Sequence, residues 1–146
     1  MIERRQDTAP AFCAPSAPPP VLILEGEPTS ARAAREFTRE FVLYYAPEAS
    51  EDYVGTVQLV VSELVTNAIR YGTETGGSLR LLLDADHTHT RVEVQDSVRL
   101  RPSPRPPSKH PQDGGRGLII LDALCLDWGT IEDPFGKTVW AEVKAS

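Results

Sequence analysis

Cysteine is scarce in this chain. Cys13 lies in a proline-rich leader and Cys125 in an apolar run, and no metal-ligand spacing surrounds either. Free thiols and a cytoplasmic location are therefore the expectation. Long hydrophobic runs are missing as well, since nothing approaches the ~20 apolar residues that span a bilayer. The opening "MIERRQDTAPAFCAPSAPPP" has no continuous apolar stretch of signal-peptide length, so neither export nor a membrane partner is expected. An excess of positive charge is also lacking: the net charge of −6 argues against direct nucleic-acid binding, which draws its affinity from basic surface. The two histidines of "HTH", His87 and His89, have no further ligands nearby in sequence, and a metal site built on them is not expected.

What is present suffices for one domain: 146 residues at 40% hydrophobic content can bury a core. Residues 1–20 hold five of the thirteen prolines and read as a disordered tail, leaving 21–146 as the domain. "VLILE" (21–25) has strand length. "TSARAAREFTREFVLYY" repeats Ala33, Phe37, Phe41 and Tyr44 at helical spacing, with Thr29 or Ser30 as its cap. Ser50, Glu51 and Asp52 open a second helix that runs to about Tyr71 and stops at Gly72. "SLRLLLDADHTHTRVEVQD" reads as a β-hairpin. Five prolines between 102 and 111 then forbid regular structure, and residues 98–113 form a long loop. "RGLIILDALCLDW" resumes as a helix, apolar on most sides and hence expected to be well buried. "WGTIED" and "TVWAEVK" close the chain as a second hairpin around "PFGK". The order β-α-α-β-β-loop-α-β-β predicts an α+β sandwich, with helices layered on one face of a mostly antiparallel sheet.

Three places carry chemistry. Along the second helix, Val54, Val57, Val60, Val61, Leu64, Val65, Ala68 and Ile69 fill one arc. Asn67 falls at the rim of that arc, with Glu63 ~40° further round. A solvated rim is the ordinary reading. An acid and an amide on one edge also orient a water or hydroxyl and offer oxygen to Mg²⁺. In "DGGRGL" (113–118), glycines precede a helix whose N-terminus presents free N–H groups and a positive dipole to phosphate, though glycines also simply end loops. The spacing is neither a Walker A loop nor a Rossmann fingerprint. In "VEVQDS", Asp96 ends a strand, where it either serves a turn or accepts a bond from an exocyclic amine.

Taken in order, "SELVTNAIRYG", "VQDS", "GGRGLIILDAL" and "GKTVWAEV" resemble the boxes of the GHKL (Bergerat-fold) ATPases, most closely the bacterial anti-sigma factor serine kinases and their single-domain relatives. The resemblance covers roughly residues 29–144. It implies a two-layer Bergerat sandwich, with a mostly antiparallel mixed sheet, that binds ATP and Mg²⁺. It further implies Glu63 as general base, Asn67 as the Mg²⁺ ligand and Asp96 as reader of the adenine amine. Gly115, Arg116, Gly117 and Leu118 would form the phosphate cradle through backbone N–H groups, Thr138 would lie near the adenine, and 98–113 would be the ATP lid. The superfamily's Asp-x-Gly-x-Gly is not kept: Asp96 is followed by Ser97, Val98, Arg99 and Leu100.

As partners the resemblance implies a STAS-type anti-anti-sigma protein carrying the phosphorylated serine, a sigma factor, and a second copy of the chain. Arg32, Arg35, Arg39 and Glu40 on the first helix are the candidate partner surface, with a merely soluble face as the ordinary reading. A non-catalytic, ATP-gated binding module is the alternative function. A histidine-kinase catalytic domain fits poorly, because no phosphoacceptor helix pair is evident.

Overall fold

The computed structural model describes residues 17–71, 77–97, 115–133 and 136–145, at 71, 97, 115–118 and 133 through the backbone alone. Most of the proline-rich tail with Cys13, the Gly72 helix stop and the 98–113 lid lie outside the described residues. In chain order the elements are β1 (Val21–Glu25), α1 (Ser30–Tyr45), α2 (Glu51–Tyr71), β2 (Ser78–Ala85), β3 (His89–Ser97), α3 (Gly115–Leu124), β4 (Asp127–Asp133) and β5 (Gly136–Lys144). The strands form one five-stranded sheet in the order β1-β2-β3-β5-β4, antiparallel at every pairing. This is the expected α+β sandwich. Among the described residues, no helix is long and apolar enough to cross a membrane.

Strand parity decides which side the helices cover. Leu79, Leu81, Leu83 and Ala85 alternate inward on β2, and Thr90, Val92, Val94 and Asp96 do so on β3. Onto this face α2 lays Tyr53, Val54, Val57, Val60, Val61, Leu64 and Val65, all buried. The predicted arc is extended by Tyr53, while Ala68 and Ile69 at its far end are half-buried; the Tyr53 hydroxyl donates to the Val143 carbonyl (3.1 Å) and lies 2.8 Å from the Thr90 hydroxyl. That hydroxyl satisfies buried Thr90, which would otherwise be costly on an apolar face.

Helix ends follow different rules here. At α2 the Ser50 hydroxyl accepts the Tyr53 N–H at 3.0 Å, a side-chain cap with Glu51 and Asp52 in the first turn, as the sequence indicated. At α1 neither expected cap operates. Thr29 makes no side-chain cap bond, and the Ser30 hydroxyl instead donates to the Glu25 carbonyl at 2.7 Å, tying the helix to the end of β1. The prediction for α3 also needs correction. Leu121 is buried, but Ile119 is 68% exposed, because among the described residues this helix packs mainly against α2 on one flank.

The arginines of α1 are engaged within the chain. Arg35 Nη1 donates to Ser62 Oγ (3.0 Å), Arg39 forms a bidentate pair with Glu51 (3.0 and 2.8 Å), and Arg32 sits 3.5 Å from Glu36. The Arg35 and Arg39 contacts brace α1 against α2, whereas Arg32–Glu36 lies within α1, and the exposed ion pairs add little stability each.

At the β2–β3 turn, the Asp86 carboxylate accepts the Thr88 N–H, the Thr88 hydroxyl and the His89 N–H, and these bonds hold its pKa at about 2. Next to it His87 Nδ1 lies 2.6 Å from Glu48, which bonds to the imidazole and attracts its charge, raising the His87 pKa above 6.5 and lowering that of Glu48 below 4.5. A raised histidine stabilises the fold below its unfolded pKa, and the gain is lost as pH rises through the folded value. A depressed carboxylate stabilises above its unfolded pKa, and that gain is lost as pH falls through the folded value. The clasp is therefore complete between pH 4.5 and 6.5. Glu48→Gln is expected to bring the His87 titration, followed by imidazole proton shifts in NMR, back down toward 6.5. An unmoved midpoint would show that the pair does not form in solution.

Candidate functional site

Two flanks of α2 do different work. Gln58 and Ser62 bond to Arg35 of α1 on one side. Glu63 and Asn67 lie roughly 140° round the helix from them, on the flank where α3 packs. Both are half-buried, at the border between core and surface.

The Tyr53–Thr90–Val143 contact fixes the level of each element. Rising ~1.5 Å per residue, α2 has travelled roughly 20 Å beyond Tyr53 when it reaches Asn67. At ~3.4 Å per residue, β3 has travelled about as far beyond Thr90 when it reaches Asp96. The half of α2 that carries Glu63 and Asn67 therefore lies over the end of the sheet that carries Asp96. Asp96 is on the helix-facing side and only 6% exposed. A carboxylate removed from water in this way is a strong acceptor for a nearby amine.

The third signal arrives from the opposite direction. The last turn of α3 is pinned at the Tyr53 end: the Trp128 indole N–H donates to Asp122 at 2.8 Å, and the Leu126 N–H donates to the Glu142 carbonyl at 2.7 Å. Ten residues long and packed against α2, α3 begins about 14 Å from that pinned end. Gly115, Arg116, Gly117 and Leu118 form this first turn. By helix geometry its first N–H groups have no partner within the helix, and together with the dipole they suit an anion.

The sheet does not bring Thr138 into this group. In the β3–β5 register Thr138 pairs with Gln95, and in the β4–β5 register with Ile131, which places it on the face away from the helices. Across from Asp96, on the helix-facing side, is Lys137. "GKT" offers two adjacent polar residues, and only the register shows that Lys137, not Thr138, faces inward.

Burial, helped by Asp122, pushes the Cys125 thiol up to about 11, so it stays protonated. No group of three or more His, Cys, Asp or Glu among the described residues could hold a metal ion by itself. A cavity of about 140 Å³ lined by Glu48, Ser50, Tyr53, Asp86 and His87 lies at the opposite end of the sandwich. It is smaller than the ~300 Å³ at which ligand pockets begin.

The fold defines a class, an α+β sandwich with its helices on one face of a five-stranded antiparallel sheet. Residues 24–143 match the model of the histidine kinase-like ATPase domain, and the chain belongs to that family. In fold it is similar to the crystal structure of the RsbU and RsbW domains of Rv1364c from Mycobacterium tuberculosis, with a TM-score of 0.59 and 21% identity over 87% of this chain and 33% of that one. The chain thus spans about a third of the protein it resembles, and at this identity the likeness concerns the fold. Among curated proteins none matches.

Proposed function

We propose that the chain is an ATP-binding regulator of the anti-sigma type, a serine kinase that phosphorylates a STAS-type anti-anti-sigma protein and sequesters a sigma factor. The placement of Glu63 and Asn67 on the half of α2 over the sheet end that holds buried Asp96 carries this reading, and membership of the ATPase family and likeness to a structure containing an RsbW domain support it. Mg²⁺ fits the site, because it takes one or two protein oxygens and completes its shell with phosphate and water, and it would neutralise phosphate charge. Asn67 would lend its amide oxygen to that ion. Asp96 would accept from the adenine amine, and the first-turn N–H groups of α3 would bind phosphate oxygens.

Transfer then requires little covalent chemistry from the protein. The partner serine oxygen bonds to the γ-phosphorus, the bond from phosphorus to the bridging oxygen breaks, ADP leaves, and the serine proton passes to the Glu63 carboxylate. Titrating ATP with Mg²⁺ by calorimetry tests the site. Saturable binding is expected, weakened at least roughly tenfold in Asn67→Ala through loss of a metal ligand. Equal affinity in the variant would remove Asn67 from the site, and no binding by the native chain up to millimolar ATP would reject the reading.

One observation favours a second reading, the non-catalytic ATP-gated module. Ser97, Val98, Arg99 and Leu100 replace the glycines that give relatives a supple backbone beside the nucleotide. Transfer of labelled phosphate from ATP to a STAS partner separates the two readings, since a gating module binds ATP and transfers none.

A further inference from the structure

We propose that Lys137 is the residue of β5 that recognises the nucleotide base, donating to a ring nitrogen beside the amine that Asp96 accepts; this rests on the ATP-binding reading above. The β3–β5 register sets Lys137 directly across from Asp96, and directly opposite pairs have Cβ atoms about 5 Å apart. Both residues are on the helix-facing side, at the level reached by Asn67. Their inward neighbours one pair along, Val94 and Val139, continue the apolar floor, so the polar pair marks where the core gives way to the site.

The chemistry is complementary. A carboxylate only accepts and an ammonium only donates. The six-membered edge of adenine presents a donor, the N6 amine, beside an acceptor, N1, so an Asp–Lys pair matches two neighbouring atoms of one base. Lysine also has the length to reach across the strand gap, and the side chain is exposed rather than packed into the core. On its other side Lys137 pairs in register with Glu132 of β4, which gives an acid–base–acid row across three strands. An ion pair within that row is the rival role for the lysine, and it predicts a different result.

The experiment measures calorimetric affinities of ATP and of 1-deaza-ATP, which has a C–H in place of N1, for the native chain, Lys137→Met and Lys137→Ala. The methionine variant keeps most of the apolar stem, and thermal melting checks that each variant is folded. The native chain is expected to prefer ATP over 1-deaza-ATP roughly tenfold, the worth of one charge-assisted hydrogen bond. In both variants ATP is expected to weaken by about that factor and the preference to vanish. A preference that survives in the folded variants would overturn the proposal and leave the ATP-binding reading intact. Equal losses for both nucleotides would also overturn it, assigning Lys137 a general attraction for phosphate. A change in melting temperature alone would make it an ion-pair residue of the sheet. Binding of neither nucleotide by the native chain would reject the proposal together with the reading beneath it.

Discussion

Glu63→Gln is expected to slow phosphoryl transfer to a STAS partner by roughly 10²–10⁴-fold, the usual worth of a positioned general base, while leaving ATP affinity nearly unchanged. Glutamine keeps the shape of the side chain and its hydrogen-bonding reach, but its amide does not take a proton. On the half-buried flank of α2 that faces α3, the substitution leaves the core arc of that helix untouched. The two functional readings diverge on this variant. A kinase loses turnover with binding preserved, and the loss appears in single-turnover transfer of labelled phosphate. A gating module regulates its partner equally well with either residue, because its output depends on nucleotide occupancy alone. Transfer that persists in Glu63→Gln within a fewfold of the native rate would remove Glu63 from the role of base. A large fall in ATP affinity would instead place the carboxylate on the nucleotide or its metal.

The sandwich was legible in the sequence wherever one physical rule acted alone. Valines at i, i+3 and i+4 gave α2 its buried arc, Ser50 with the two acids after it marked its start, and inward alternation gave the β2–β3 hairpin. The reading failed where tertiary context chose between equal local options. Ser30 is as good a cap by type as Ser50, but the Glu25 carbonyl claimed its hydroxyl. The apolar "LIIL" of α3 implied a well-buried helix, yet among the described residues only α2 neighbours it as a helix, and Ile119 is left outside. In "GKT", one residue of register separates the inward Lys137 from the outward Thr138, and no local signal sets that parity. The expected arc begins at Val54 and omits Tyr53, which falls on the same side because it lies four residues before Val57. Glu63, Asn67 and Asp96 were visible by type, but a solvated rim and a strand-end turn explain the same residues locally, and only the register turns Asp96 inward.

Leu64→Ala is expected to cost about 3 kcal/mol, a large share of the 5–15 kcal/mol by which domains are stable. The side chain is 2% exposed and belongs to the cluster in which α2 rests on Leu79, Leu81, Val92 and Val94. Truncation removes the transfer energy of the lost carbons and leaves a cavity that the surroundings fill only in part. The sheet beneath is held by strand pairs on both sides, so only α2 can sink toward the gap, and its Tyr53 end is fixed by the bonds to Thr90 and Val143. Urea unfolding should therefore show a lower midpoint with an unchanged slope. Leu59→Ala, on the same helix but 42% exposed, is expected to stay within about 0.5 kcal/mol of the native chain. A cost below about 1 kcal/mol for Leu64→Ala would mean that the far half of α2 does sink. Glu63 and Asn67 would then sink with it, and ATP affinity would fall although no residue proposed to touch the nucleotide had been changed. A full cost with affinity preserved would show that the rim of α2 is held in place by its flanks, α1 on one side and α3 on the other.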